Sequence, residues 1–236
     1  MKKILLSFSF CICTLLCVAQ NQYKITYKGT LLSSSLNARL EQEVNDPMFL
    51  QGYKDLIEGF EVQYALYVDV SKGRSILLEQ KEIGLDGPPP FKHLFSFYEQ
   101  SGTLYFEDLF RGKQFKVRDS PAVLQWDIKQ EIMKVGSFNC RKAVLKNDPF
   151  NTVVWFCEDY PISFGPYIGA KLPGLAVLLE NDYYVIKIDK ITKEAFSKNI
   201  ENQMNAAQKK TGITYTKYKE QVAPLLKKMK TENIID

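Results

Sequence analysis

Apolar and polar residues alternate along much of the chain, the period-two pattern of β-strands that bury one face. In residues 60–70 every second residue is apolar, and Glu61, Gln63 and Asp69 lie between them. Residues 23–28 repeat this pattern. Further strand-like runs lie at 75–82, 91–99, 103–110, 114–118, 138–145, 152–158, 175–179 and 183–191. Because short turn-like segments separate these runs, the sequence predicts an antiparallel meander of about ten strands.

Two short helices are predicted between the first strand and residue 60. Ser35 is the candidate N-cap of the first, whose thin apolar stripe is Leu36, Leu40 and Val44. The second has Asp46 as its cap, Pro47 at its first position and Gly59 just past its end. Each of these residue types is favoured at that position of a helix.

The apolar period changes to a helical one from Thr192 onward. The first predicted helix ends at Gly212, and Pro224 is expected to kink or break the second. Residues 191–236 hold nine lysines against four glutamates and one aspartate, a net charge of +4. Such helices can touch an anionic membrane surface or pack on the sheet with a solvated basic face, and the second arrangement is favoured.

Together these patterns predict a mainly β (α+β) fold. We expect a curved antiparallel meander sheet, half-barrel-like, with C-terminal helices packing on it. Residues 20–236 are predicted to form a single β-rich domain that includes a helical segment over 192–231. The concave side of such a sheet would be apolar.

Residues 1–19 have the anatomy of a secretory signal peptide. Lys2 and Lys3 precede an apolar run over 4–16, and Cys17-Val18-Ala19 forms a cleavage site before Gln20. No small residue stands directly before Cys11, Cys13 or Cys17, so lipidation is not expected. The sequence predicts an exported protein of the periplasm or cell envelope, or a secreted one, with no integral membrane span.

Cleavage there would leave two cysteines, Cys140 and Cys157. Folding the chain about Asp148-Pro149 as a hairpin places Cys140 opposite Cys157, and Lys142 opposite Trp155. An oxidising compartment favours a bond between such a pair, so we predict a cross-strand disulfide. The alternatives are two buried thiols or a reactive pair.

The sequence holds no catalytic motif, and we predict no catalytic residues, cofactor or metal. His93 is the only histidine, and it lies in a strand candidate. Glu107-Asp108 and Glu158-Asp159 are adjacent on predicted strands, so the two members of each pair should point to opposite faces. Removing Lys2 and Lys3 reduces the net charge from +4 to +2, which favours no nucleic-acid partner.

Residues 160–180, YPISFGPYIGAKLPGLAVLLE, combine prolines and glycines with apolar residues. Leu172-Pro173-Gly174-Leu175 matches a type II turn, and 175–179 is typical of a strand covered on both faces. The segment is interpreted as a structural corner that leads into the last hairpin. A rigid mouth over a cleft is the alternative.

The same segment resembles the GLPGLI family of exported proteins from Bacteroidetes-type bacteria. The signature corresponds to Lys171-Leu172-Pro173-Gly174-Leu175-Ala176, so its first and last positions differ here. The surrounding matches, which give the motif a structural role, are Trp126, Trp155, Pro161, Gly165 and Pro166. The resemblance covers about residues 120–190 and implies a divergent member of a cell-envelope family with no established activity.

The expected function is therefore non-enzymatic binding of an unknown apolar ligand or envelope protein through the curved sheet. The alternatives are a structural or accessory protein of an outer-membrane assembly and a hydrolase whose site has no recognisable motif. The filling of the concave side decides between a ligand-binding and a purely structural use of the sheet.

Overall fold

The computed structural model describes residues 21–31, 33–83, 94–110 and 112–231. The predicted signal peptide, the proline run at 88–90 and His93 lie outside these residues. The described part forms an eleven-stranded antiparallel sheet with helices at both ends of the chain, so the predicted fold class is confirmed. The strands are β1 Gln22–Thr30, β2 Glu61–Asp69, β3 Arg74–Ile83, β4 Phe95–Glu99, β5 Thr103–Phe110, β6 Lys113–Asp119, β7 Trp126–Val135, β8 Phe138–Leu145, β9 Val153–Cys157, β10 Leu175–Glu180 and β11 Val185–Lys193.

The strand order is β6-β5-β4-β3-β2-β1-β11-β10-β9-β8-β7. Neighbours in the sheet are neighbours in sequence except at one place, where β1 pairs with both β2 and β11. The N-terminal strand therefore joins two meanders, β2–β6 and β7–β11. The edge strands β6 and β7 are consecutive in the chain and do not pair, so the sheet stays open.

The two edge strands of the sheet, β6 and β7, are protected from further pairing in different ways. Backbone groups of Ile213 bond to Lys116 and Arg118, so the segment before the last helix covers β6 (Ile213 N to Lys116 O, 2.9 Å). Strand β7 pairs only with β8 and carries an irregularity in which residues 129–131 face one residue of β8. Its Lys129 and Glu131 form ion pairs with Asp127 and Lys142. Charges and a bulge on an edge oppose pairing with foreign strands.

Four α-helices lie in the described part of the chain: α1 Ser34–Glu43, α2 Pro47–Glu58, α3 Lys198–Ala207 and α4 Tyr215–Thr231. Asp46 caps α2 through the amides of Met48 and Phe49, and Gly59 follows its end, as predicted. Helix α1 is capped by Ser33 rather than by Ser35. A 3-10 turn, Pro121–Val123, joins β6 to β7.

The C-terminal helices pack on opposite faces of the sheet. Ile200 and Met204 of α3 join Ala65 and Phe97 in a cluster on the outer face of β2–β5. The stripe of α4 belongs to the main core on the other face, and its members are Tyr215, Tyr218, Val222 and Leu226. The favoured interpretation, basic helices packed on the sheet, is therefore confirmed. Among the described residues, no helix is both long and apolar enough to cross a membrane.

Two predictions near the C-terminus are corrected: helix does not begin at Thr192, and Pro224 does not break the last helix. Residues 192 and 193 belong to β11, and helix begins only at Lys198 after the cap of Ser197. Helix α4 continues through Pro224 without a break. Pro224 lies on the exposed side, where water can satisfy the carbonyl that a proline leaves unbonded, while Val222 and Leu226 hold the buried side.

One strand was not predicted, although eleven strands agree with the expected number of about ten. Strand β7 contains Ile128 and Ile132, a spacing of four that suggests a helix. Residues four apart also share a face of a strand, and here they do, because Ile128 pairs with Ala143 and Ile132 with Arg141. The alternation of apolar and polar residues in the sequence does not reveal the bulge between Ile128 and Ile132.

Two glycine substitutions should separate packing from intrinsic helix propensity. A Cβ on Gly52, in the middle of α2, would meet nothing within 4 Å. Gly52→Ala should therefore stabilise the fold by about 0.5–1 kcal/mol. A Cβ on Gly165 would overlap the carbonyl oxygen of Gly169 and the side chain of Ala176. Gly165→Ala should cost about 1–3 kcal/mol or more.

Urea unfolding of both variants beside the parent chain measures these differences. A stabilising Gly165→Ala, or a clearly destabilising Gly52→Ala, would show that the packing around the two positions is not as described.

Candidate functional site

The concave face is occupied by the chain itself. Residues 160–174 leave the sheet after β9, fold into the concavity and return to β10. The two ends of this segment meet, because the amide of Leu175 donates to the carbonyl of Tyr160 (3.0 Å). We call residues 160–174 the plug. It is the proline-glycine tract that the sequence singled out.

The plug contacts strands from across the sheet. Phe164 packs edge-on against Tyr98 of β4, with ring centroids 5.6 Å apart. Tyr167 packs against Phe106 of β5 at 5.0 Å. The indole N–H of Trp126, on β7, donates to the carbonyl of Ala170 (2.9 Å). Because β7 is far from the neighbouring strands β4 and β5 in the sheet order, the sheet must curve around the plug to make all three contacts.

Glycine is required where the plug approaches other backbone. Gly165 lies against Gly169 and Ala176, and Gly174 lies against the carbonyl of Cys157, so neither position has room for a Cβ. Gly174 does not have a positive φ, so the predicted type II turn is wrong. Close backbone approach, rather than a left-handed conformation, explains the glycine of the Leu-Pro-Gly-Leu signature.

A buried carboxyl group lies beside the plug. Asp108 on β5 points inward, and the hydroxyl of Tyr218 on α4 donates to its Oδ2 (2.5 Å). Burial raises the pKa of Asp108 to about 6, while hydrogen bonds from Tyr218, Leu109 and Tyr167 oppose that rise. Burial and the nearby Asp108 carboxyl raise the pKa of Tyr167 and of Tyr218 well above the ordinary value. These groups tie β5, the plug and α4 together.

A second carboxyl group anchors the start of α4. The hydroxyl of Tyr215 donates to Oδ1 of Asp148 (3.1 Å), and the amide of Thr152 donates to Oδ2 (2.8 Å). Burial raises the pKa of Asp148. The hairpin between β8 and β9 thus holds α4 from one side, while Asp108 holds it from the other.

The two adjacent carboxylate pairs in the sequence lie in different settings. Glu107 points outward, away from Asp108, to Lys210 (2.6 Å) and Tyr105 (2.7 Å), so the prediction of opposite faces is confirmed for this pair. Strand β9 ends at Cys157, so Glu158 and Asp159 lie in a turn rather than on a strand as expected.

The arrangement offers little access for a substrate near Asp108. Its tyrosine neighbours are buried, and the plug and α4 cover it. An open groove of about 440 Å³ in the described residues lies elsewhere, on the outer surface between β6 and the start of α4. Its lining residues are Gln114, Phe115, Lys116, Thr211, Gly212, Ile213 and Gln221. No cluster of His, Cys, Asp and Glu suited to a metal ion occurs among the described residues.

The two cysteines lie where the hairpin prediction places them. Lys142 pairs with Trp155, as expected, and Arg141 pairs with Phe156. One step further along this register is Cys140 opposite Cys157. Both are buried free thiols in one cluster with Val135 and Val177 on the outer face. Burial, with a contribution from Cys157, raises the pKa of Cys140 to about 11. The disulfide itself stays a prediction.

The residues that resemble a family motif fall into two groups. Gly165, Pro166, Leu172, Gly174 and Leu175 are buried and build the plug or its return to β10. Trp126 bonds to the plug. Pro161 and Pro173 are exposed, and Trp155 packs in the outer cluster beside Lys142. The motif therefore marks how the plug enters and leaves the sheet. The sequence marked Asp108 only as one of an adjacent pair and Asp148 only as part of a hairpin turn. No pattern indicated that either carboxyl group would be buried, because carboxylates in strands and turns are common.

Comparison with known proteins does not assign this chain to a family. No protein-family model matches the chain, and no curated protein does. The structures of PNGF-II in space groups C2 and P21 are similar to it with TM-scores of 0.45 and 0.47 and 15% sequence identity. The match covers 85% of this chain but 32% of PNGF-II, so the chain spans about a third of that protein's length. An uncharacterized conserved protein from Thermus thermophilus has a TM-score of 0.38 and 9% identity, over 83% of this chain and 90% of that one.

The buried Asp108 should make stability depend on pH. Its folded pKa of about 6 exceeds the ordinary 3.8, so the folded state binds the proton more tightly than the unfolded chain. The contribution of Asp108 is therefore most favourable below about pH 4 and is lost as pH rises through about 6, by about 1–3 kcal/mol. Asp108→Asn should remove this dependence and gain stability, relative to the parent, toward neutral pH.

Urea unfolding of the parent and variant between about pH 4 and about pH 8 tests this. Glu107→Gln is the matched control of opposite sign. Burial alone would raise the pKa of Glu107, but hydrogen bonds from Lys210 and Tyr105 lower it overall, so its contribution is lost as pH falls. A parent-to-variant difference that is constant with pH would contradict the buried state of Asp108.

The register of β8 and β9 predicts how Cys140 and Cys157 respond to alkylation. In a chain that begins at Gln20 and is purified from an oxidising compartment, a thiol reagent should add no mass after denaturation. After reduction it should add two adducts, because the bridged thiols are released. Reduction should also cost about 3 kcal/mol of folding stability. Two adducts without prior reduction would show that the cysteines remain buried thiols.

Proposed function

We propose that this protein is exported to the cell envelope and acts without catalysis, by holding a protein partner on its outer surface. The observation that carries the proposal is the plug. Together with α4, it fills the concave face that a binding protein with a curved sheet would keep open for an apolar ligand. The sequence features of a signal peptide and the resemblance to the GLPGLI family support the location.

The rigidity of the interior supports a structural use of the fold. A hydrogen bond from the indole of Trp126 ties the plug to β7. The hydroxyl of Tyr27 on β1 donates to the carbonyl of Ala176 on β10, just beyond the end of the plug (2.8 Å). A closely packed interior of this kind keeps the outer surface in one shape. A rigid surface reduces the entropy lost on binding. An accessory role beside an outer-membrane assembly is the form of this function that the envelope location favours.

Amine-reactive crosslinking in intact producing cells tests the proposal. The exported chain should form discrete adducts with another envelope protein, and a variant lacking residues 2–19 should lose them because it stays in the cytoplasm. Organic extraction of the natively purified protein should release no stoichiometric lipid, since the plug occupies the concavity.

The opposing outcomes are equally specific. Stoichiometric lipid in the extract would favour binding of an apolar ligand instead, because a lipid could enter the concavity only if the plug moved. Equal adducts from the exported and the cytoplasmic chain would refute a specific envelope partner.

A further inference from the structure

Helix α2 presents an apolar stripe to solvent. Met48 is 85% exposed, Phe49 51% and Leu56 48%. Met48, Gly52 and Leu56 follow one another at intervals of four, so they form one row along the helix, and Phe49 flanks that row. The opposite side of α2 is buried within the protein, because Ile57 packs with Leu40 and Val44 of the α1 region. The stripe is therefore not needed to attach α2.

Gly52 is the centre of the stripe and has no role within the fold. A glycine in a helix interior costs about 1 kcal/mol relative to alanine. Packing inside this protein does not require it, since a Cβ there would meet nothing within 4 Å. Between Met48 and Leu56 it leaves a shallow depression, which allows another helix to approach the backbone closely.

The charges around the stripe are acidic. Residues 34–58 contain five acidic and two basic side chains, a net charge of −3. Both basic residues have acidic partners, since Arg39 lies 3.0 Å from Glu43 and Lys54 lies 2.8 Å from Glu41. Asp55 and Glu58, both exposed, follow one flank of the stripe. These charges favour a basic partner and repel an anionic lipid surface.

A second copy of the chain does not fit this surface well. Two α2 helices that cross antiparallel at Gly52 would place Asp55 and Glu58 of both copies along the same edge, where like charges repel. Helix α2 is twelve residues long, and three side chains on it bury far less than the ~1,200 Å² of a stable interface. A short amphipathic helix fits the stripe better.

We infer that the stripe formed by Met48, Phe49, Gly52 and Leu56 is a docking site for an amphipathic helix of another protein. The partner helix has a large apolar side chain that sits over Gly52 and lysine or arginine residues that face Asp55 and Glu58. This inference rests on the proposed function and names the surface and the chemistry of the partner. It adds that the interaction depends on salt, because part of it is between exposed charges.

Two synthetic peptides provide the test. Both are eighteen-residue amphipathic helices with the same leucine face, and one carries lysine and arginine on its flank while the other carries glutamate. Fluorescence anisotropy with the full chain should show binding of the basic peptide, at least about tenfold weaker binding of the acidic one, and weakening with added salt.

Variants locate the binding on α2. Gly52→Leu fills the depression and Leu56→Ser removes an anchor, so each should weaken the basic peptide by at least about tenfold. Ile132→Ser is the matched control, because Ile132 on β7 is 72% exposed and lies on another element. It should leave binding unchanged. Circular dichroism of each variant confirms that the fold is retained.

Other occupants give different results. Equal binding of the two peptides, no binding of either, or no effect of Gly52→Leu overturns the inference. Sedimentation with vesicles of phosphatidylcholine and phosphatidylglycerol that Leu56→Ser abolishes would assign the stripe to a lipid surface instead. A concentration-dependent dimer that Leu56→Ser abolishes would assign it to a second copy. Crosslinked envelope adducts that persist in Leu56→Ser would leave the proposed function standing and this surface excluded.

Discussion

The packing of residues 160–174 against the concave face is the constraint on which the rest of the structure depends. A sheet of eleven strands that curves must fill the space it encloses, and the chain does so with its own backbone and side chains. Backbone can enter a core only if its polar groups are bonded. Here the amides of Lys171, Leu175 and Ala176 donate to carbonyls within or beside the same segment. The glycines allow the close approach, and aromatic rings fill what remains.

Much of the sheet could be predicted because alternate residues of its strands point into the main core. The alternation over 60–70 and the register of Cys140 with Cys157 both follow from that period. Strand β7 could not be found, since the spacing of Ile128 and Ile132 fits a helix as well as a strand and residues 129–131 interrupt the pairing with β8. The course of residues 160–174 through the concavity was not predictable either. Its composition indicated a buried corner, but the contacts with β4 and β5 link residues far apart in sequence.

Asp108 shows how a perturbed carboxyl group can be structural. A raised pKa in a cleft is a common mark of a catalytic acid. Here Tyr218 and Tyr167 form hydrogen bonds with the group, and it lies beneath a helix, so it links β5, the plug and α4. We therefore base the proposed function on side chains that point outward. On α2 an apolar stripe and an acidic flank occur together, and neither is required by the fold.

The position of β1 has a consequence for how the chain folds. Its neighbour β11 lies near the far end of the sequence, and Thr26 and Asp189, which bond across the pair, are separated by 163 residues. Strand β1 therefore acquires one of its two neighbours only after the ten later strands of the described residues have been made. Pairing between such distant segments is slow. The sheet therefore cannot be completed before β11 has been made.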